Sequence, residues 1–202
     1  GNVRLENFIV PAFFKEMLTG FGVVMFRALI PLFTCIFIAA RSGTAITAYL
    51  SNMMDTERRQ WDTMKNLGVD PHLFFFPQVF ICFVTGCWLL SYFSFLTSAL
   101  GSLIIALVTN PLCTWYTWTE TFWANLRANM FLGIIPIFEG FGMFTVKTMC
   151  AGAAIAIISF KWGTKPRKNS MDILKNLIGA NIWNVVSILI IFFILLIFEL
   201  GT

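Results

Sequence analysis

Four apolar runs dominate this chain, from about Phe8 to Ala40, His72 to Val108, Phe131 to Phe160 and Ile178 to Leu200. A helix needs roughly 20 apolar residues to cross a bilayer, and in hydrocarbon every backbone N–H and C=O must be paired within the protein. The runs predict an all-α membrane protein, a polytopic helical bundle with about four spanning helices plus short interfacial and cytoplasmic helices. Composition agrees. Hydrophobic residues are 58% and charged residues 12%, against roughly 45–50% and 25% in soluble domains.

The first two runs exceed one crossing. Lys15, Glu16 and Gly20 break the first, leaving a lead-in and a crossing from about Phe21 to Ala40. In the second, the crossing is Phe76 to Leu96; the remainder, with Gly101 and Asn110-Pro111, forms the far end of that helix and a turn. The third crossing is Phe131 to Phe160. The last, Ile178 to Leu200, is mostly Ile, Leu, Val and Phe, which predicts a lipid-facing or peripheral helix. Between the second and third, Trp115, Tyr116, Trp118 and Trp123 predict a segment at headgroup level. A base-stacking platform is the sharper, less favoured alternative.

The formal net charge of +4 does not point to nucleic acid, because the basic residues concentrate in two stretches between apolar runs. Arg41, Arg58, Arg59 and Lys65 lie in one; Lys161, Lys165, Arg167, Lys168 and Lys175 lie in the other. By the positive-inside rule both are cytoplasmic, while Arg4, Lys15 and Arg127 fall on the opposite side. That parity puts both ends of the given sequence outside the cytoplasm, so a further N-terminal crossing is expected. The cysteines, Cys35, Cys82, Cys87, Cys113 and Cys150, are scattered without metal-ligand spacing and read as small hydrophobes.

The longest polar interruption, Ala39 to Pro71, opens with small residues, passes through a charged segment from Asp55 to Lys65 and stops at Gly68-Val69-Asp70-Pro71. A left-handed cap at Gly68 and a proline that cannot continue the helix predict a compact helix of about three turns. It is either a solvated linker or a docking surface for a partner.

Inside the crossings stand Pro31, a predicted kink and candidate gate, and two cations, Arg27 and Lys147. Charges at such depth mark a cavity or a polar contact unless they snorkel to an interface. Glu139 and Glu16 are candidate counter-charges. Glu139 lies two turns from Lys147, too far for a bond within one straight helix, so a partner on a neighbouring helix is expected. A small-residue patch at Gly140, Gly142 and 151–154 predicts close helix approach. No phosphate-binding loop, GxSxG motif or paired carboxylates occur, and His72 is the single histidine. Neither an enzyme nor a metal site is expected.

The order AARSGTAITAYL, NLGVDP and then an apolar span resembles the MlaE-type permeases, membrane subunits of ABC transporters associated with MCE proteins that move lipids in double-membrane bacteria. Arg41, Gly43, Ala45, Ala48, Asp62, Gly68, Val69, Asp70 and Pro71 carry the match, and 27–31 resembles the family's RELGP segment. Ala28 stands where that pattern has Glu, Ile30 where it has Gly, and Tyr49 where an acid follows the small residues.

The resemblance implies one transmembrane permease domain over 1–202, preceded in the family by an interfacial helix and a first spanning helix, with a cytoplasmic coupling-helix loop at 49–71. It implies a homodimer, a cytoplasmic ABC ATPase that holds ATP and Mg, an MCE-domain lipid-binding protein, and membrane phospholipid as cargo, all at the bacterial inner membrane. No cofactor is expected in this chain. Asp55, Glu57, Arg58, Arg59, Asp62, Lys65, Gly68, Asp70 and Pro71 would couple to the ATPase. Phe21, Arg27, Pro31, Lys147 and Glu139 would bind lipid or gate. The alternatives are an ion-coupled or passive carrier or channel for a small apolar solute, which would transport without nucleotide, and a purely structural anchor, which would tolerate charge reversal in the loop.

Overall fold

The computed structural model describes residues 28–54, 60–109, 114–116, 118–119, 122, 129–131, 135–137, 140–165 and 170–201. Among the described residues four helices are long and apolar enough to cross a membrane. They are α1 (Ile30–Met53), α3 (Pro71–Thr109), α4 (Phe141–Gly163) and α5 (Ser170–Gly201). A short α2 (Gln60–Asn66) lies between α1 and α3. Two three-residue strands, β1 (Asn129–Phe131) and β2 (Ile135–Ile137), pair antiparallel ahead of α4. The all-α polytopic class holds.

Several boundaries move. Residues 39–53, expected in the polar interruption, continue the spanning helix α1, so the connection carrying α2 begins after Met53 and not at 49. The helix of the third span begins at Phe141, after Gly140 at φ 91, and the described residues 131, 135–137 and 140 are not part of it. Lys161 belongs to the last turn of α4 and Lys175 to α5, which shortens the second polar loop.

Helix α1 runs past its polar residues because they are buried where helices meet. Pro31, Cys35, Ala39, Gly43, Thr47 and Ser51 are all buried, at a strict spacing of four. On a 3.6-residue helix such a stripe drifts by about 40° per step. A π-helical turn over Ala39–Gly43 takes up part of that drift and keeps the stripe facing its neighbours. Thr47 Oγ1 donates to the Gly43 carbonyl at 2.8 Å and to the Ser159 carbonyl of α4 at 3.2 Å. Ser51 Oγ donates to the Gly163 carbonyl at 3.3 Å.

Helix α4 is the central strut, packed against α1, α3 and α5. At Gly152 a Cβ would stand 2.5 Å from the Phe83 carbonyl of α3, an approach only glycine permits. The main core surrounds this level and includes Cys35, Phe83, Cys87, Ile155, Ile188 and Phe192. Helix α5 leaves most of its large apolar side chains exposed, Trp183, Phe193 and Phe198 among them, as expected of a lipid-facing helix. One side of it, however, buries Ala180, Asn184 and Ile188 completely, and Asn184 Nδ2 donates to Ser159 Oγ at 3.0 Å. Helix α3, at 39 residues, is about 58 Å long, nearly twice the hydrocarbon thickness of ~30 Å. Its end beyond the expected crossing is a continuation of the same helix.

Candidate functional site

Local chemistry shapes the connection between α1 and α3. Helix α2 closes with a Schellman motif: Val69 N–H donates to the Met64 carbonyl and Gly68 N–H to the Lys65 carbonyl, both at 3.0 Å. Gly68 supplies the left-handed residue at φ 78. Asp70 then caps α3, its Oδ1 accepting from His72 N–H at 3.0 Å while its carbonyl accepts from Phe74 N–H at 3.1 Å. Pro71 occupies the first helical position, where its missing N–H costs nothing. The GVDP sequence is therefore one stop and one start, fused without slack.

A residue unnoticed in the sequence fixes α2 to the bundle. Trp61 is 4% exposed, the one buried residue of α2. Its ring meets His72 edge-on at 5.0 Å and lies parallel to Phe75 at 6.2 Å. With Leu50 of α1 and Phe160 of α4 it forms a separate apolar cluster. Asp62 and Lys65 face outward and are exposed, as are Leu67 and Val69. The helix thus presents charge outward and hangs on one indole.

At the opposite end of the bundle a second polar feature is buried. Lys147 of α4, 1% exposed, pairs with Glu199 near the end of α5, 19% exposed. The counter-charge comes from a neighbouring helix, and Lys147 is not snorkelling. Glu139 falls outside the described residues, as do Phe21, Arg27, Asp55, Glu57, Arg58 and Arg59. Pro31 is buried near the start of the described part of α1, and residues 21–27 of the expected crossing fall outside the described residues. Lys147 and the α2 group therefore lie at opposite ends of the molecule.

A third feature lies between α1 and α3. A groove of about 470 Å³ is lined by Ile38, Ser42, Ile46, Tyr49 and Leu50 of α1 and by Phe75, Gln78, Val79, Phe83, Gly86 and Leu90 of α3, among others. Beside Ser42, Arg41 is exposed on α1. The sequence reading placed Arg41 in a loop; it sits within the spanning helix.

Three apolar helices packed around a fourth, with a capped connector tied to the bundle at one end, define a polytopic membrane protein. The family model for the permease MlaE matches residues 1–198, and the chain belongs to that family. It is thereby an integral membrane subunit of a lipid ABC transporter and not an enzyme in its own right. No curated protein matches the sequence.

Proposed function

We propose that this chain is the spanning subunit of a phospholipid transporter in the bacterial inner membrane, driven by a separate cytoplasmic ATPase. It would work as a homodimer and exchange lipid with an MCE-domain partner outside the cytoplasm. The observation that carries the reading is α2. Its exposed Asp62 and Lys65 offer a charged surface to a partner, while Trp61 and the unbroken cap from Gly68 to Pro71 tie that surface to α1, α3 and α4. On the α3 side a push on α2 meets no slack loop. ATP and Mg belong to the partner, and Asp55, Glu57, Arg58 and Arg59 extend the same charged segment in sequence.

At the other end the buried Lys147–Glu199 pair makes a polar latch between α4 and α5. A phosphate headgroup arriving there competes with Glu199 for the lysine, which couples cargo to the separation of two helices. Arg27, Phe21 and Glu139 extend this proposed lipid path, and Arg27→Ala weakens phospholipid co-purification.

Affinity purification of the complete protein in mild detergent, with mass spectrometry of what accompanies it, tests the reading. An ATPase subunit is recovered, and charge reversal at Arg58, Arg59 and Asp62 removes it. Recovery of the chain alone, indifferent to those changes, contradicts the proposal and favours a carrier or an anchor.

A further inference from the structure

Arg41 is placed where a guanidinium needs a partner. Gly43, two residues on, packs against Ile155, Ser159 and Asn184. Ile155 is eight residues before the end of α4 at Gly163, so Arg41 stands some 12–15 Å from that end. This is close to the middle of the span defined by α4. Among the described residues no carboxylate pairs with it, and it is exposed. A charge at such depth with no carboxylate partner among the described residues is costly unless it snorkels or an anion or water meets it.

One residue further on, Ser42 enters the lining of the groove between α1 and α3. That lining is aliphatic and aromatic apart from Ser42, Tyr49, Gln78 and two thiols. Its volume of about 470 Å³ falls in the ordinary range for ligand pockets, roughly 300–1,000 Å³. Arg41 itself is outside that lining, about a quarter-turn round α1 from Ser42; a long cationic side chain at the edge of an apolar slot complements an amphiphile with an anionic head and a hydrocarbon tail. Neither a free phosphate nor a neutral hydrocarbon uses both parts. Gly86 of α3 adds a geometric handle, since it lines the groove and a Cβ there would meet no atom within 4 Å.

We propose that the α1–α3 groove is a phospholipid subsite within the bundle, with Arg41 binding the phosphate and the groove holding an acyl chain. This rests on the lipid-permease reading and adds to it a site far along the span from the Lys147–Glu199 latch. A second copy of this chain is the less fitting occupant, because a two-fold contact centred on Arg41 would bring together two cations that have no carboxylate partner among the described residues.

The test uses the full chain in mild detergent, delipidated and then offered phosphatidylglycerol or the diacylglycerol with the same chains, with bound lipid counted by native mass spectrometry. The wild type prefers phosphatidylglycerol. Arg41→Gln loses that preference at least tenfold while still taking diacylglycerol; Gly86→Leu, whose side chain grows into open space, loses both. Phosphatidylglycerol occupancy unchanged in both variants overturns the proposal. So does a change of oligomeric mass in Gly86→Leu with lipid binding intact, which assigns the groove to a second copy. ATPase association is scored separately with the undelipidated wild type: its absence sinks the permease reading without altering the groove result.

Discussion

Removing one member of the Lys147–Glu199 pair leaves the other charge without that partner. Glu199→Gln strands Lys147, which is 1% exposed, and is expected to destabilise the bundle by about 3 kcal/mol. Glu199 is partly exposed, and Lys147→Met is expected to cost less. Joining both changes should cost less than their sum, because the double variant strands neither charge. Thermal unfolding in detergent of the two single variants and the double variant measures this; additive losses would mean that the pair carries no coupling. The position of Lys147 in a span was readable from the sequence, but its partner was not. Glu199 lies 52 positions away at the end of an almost wholly apolar run; the spacing of Glu139 pointed to a neighbouring helix but not to the residue on it. Trp61 was hidden for the converse reason. It is one apolar residue among charges, and a single residue shows no periodicity.

Glycines separate the element-level contacts. Gly152 lies against the α3 backbone, so Gly152→Ala should cost on the order of 1–3 kcal/mol by forcing α3 and α4 apart. Gly86→Ala meets open space inside a helix and should stabilise by up to about 1 kcal/mol. Opposite shifts in melting temperature are the expected result, and equal shifts would contradict the packing. The same physics explains what was legible in the elements. Apolar runs and the Gly68–Pro71 cap could be read directly, because hydrocarbon length and left-handed backbone are local demands. The course of α1 through residues 39–53 could not be read from mean polarity. Gly43, Thr47 and Ser51 are polar or small because α4 and α5 lie against them, and only their fourfold spacing records the fact.

Across the whole molecule, the charged connector and the buried ion pair occupy opposite ends, joined by helices without a break. In the proposed coupling, force entering at α2 would reach α1, α3 and α4 through Trp61 before the pair at the far end of α4 and α5. Trp61→Ala removes the indole but leaves Asp62 and Lys65 exposed, so the proposed ATPase partner should still bind and hydrolyse ATP. Trp61→Phe should keep much of the link. The most direct measurement of the account is lipid transferred per ATP hydrolysed in proteoliposomes holding the assembled complex. The ratio should fall at least tenfold in Trp61→Ala, with ATPase activity within about twofold of wild type, and be largely restored in Trp61→Phe. An unchanged ratio in Trp61→Ala would contradict the claim that this connector drives the bundle.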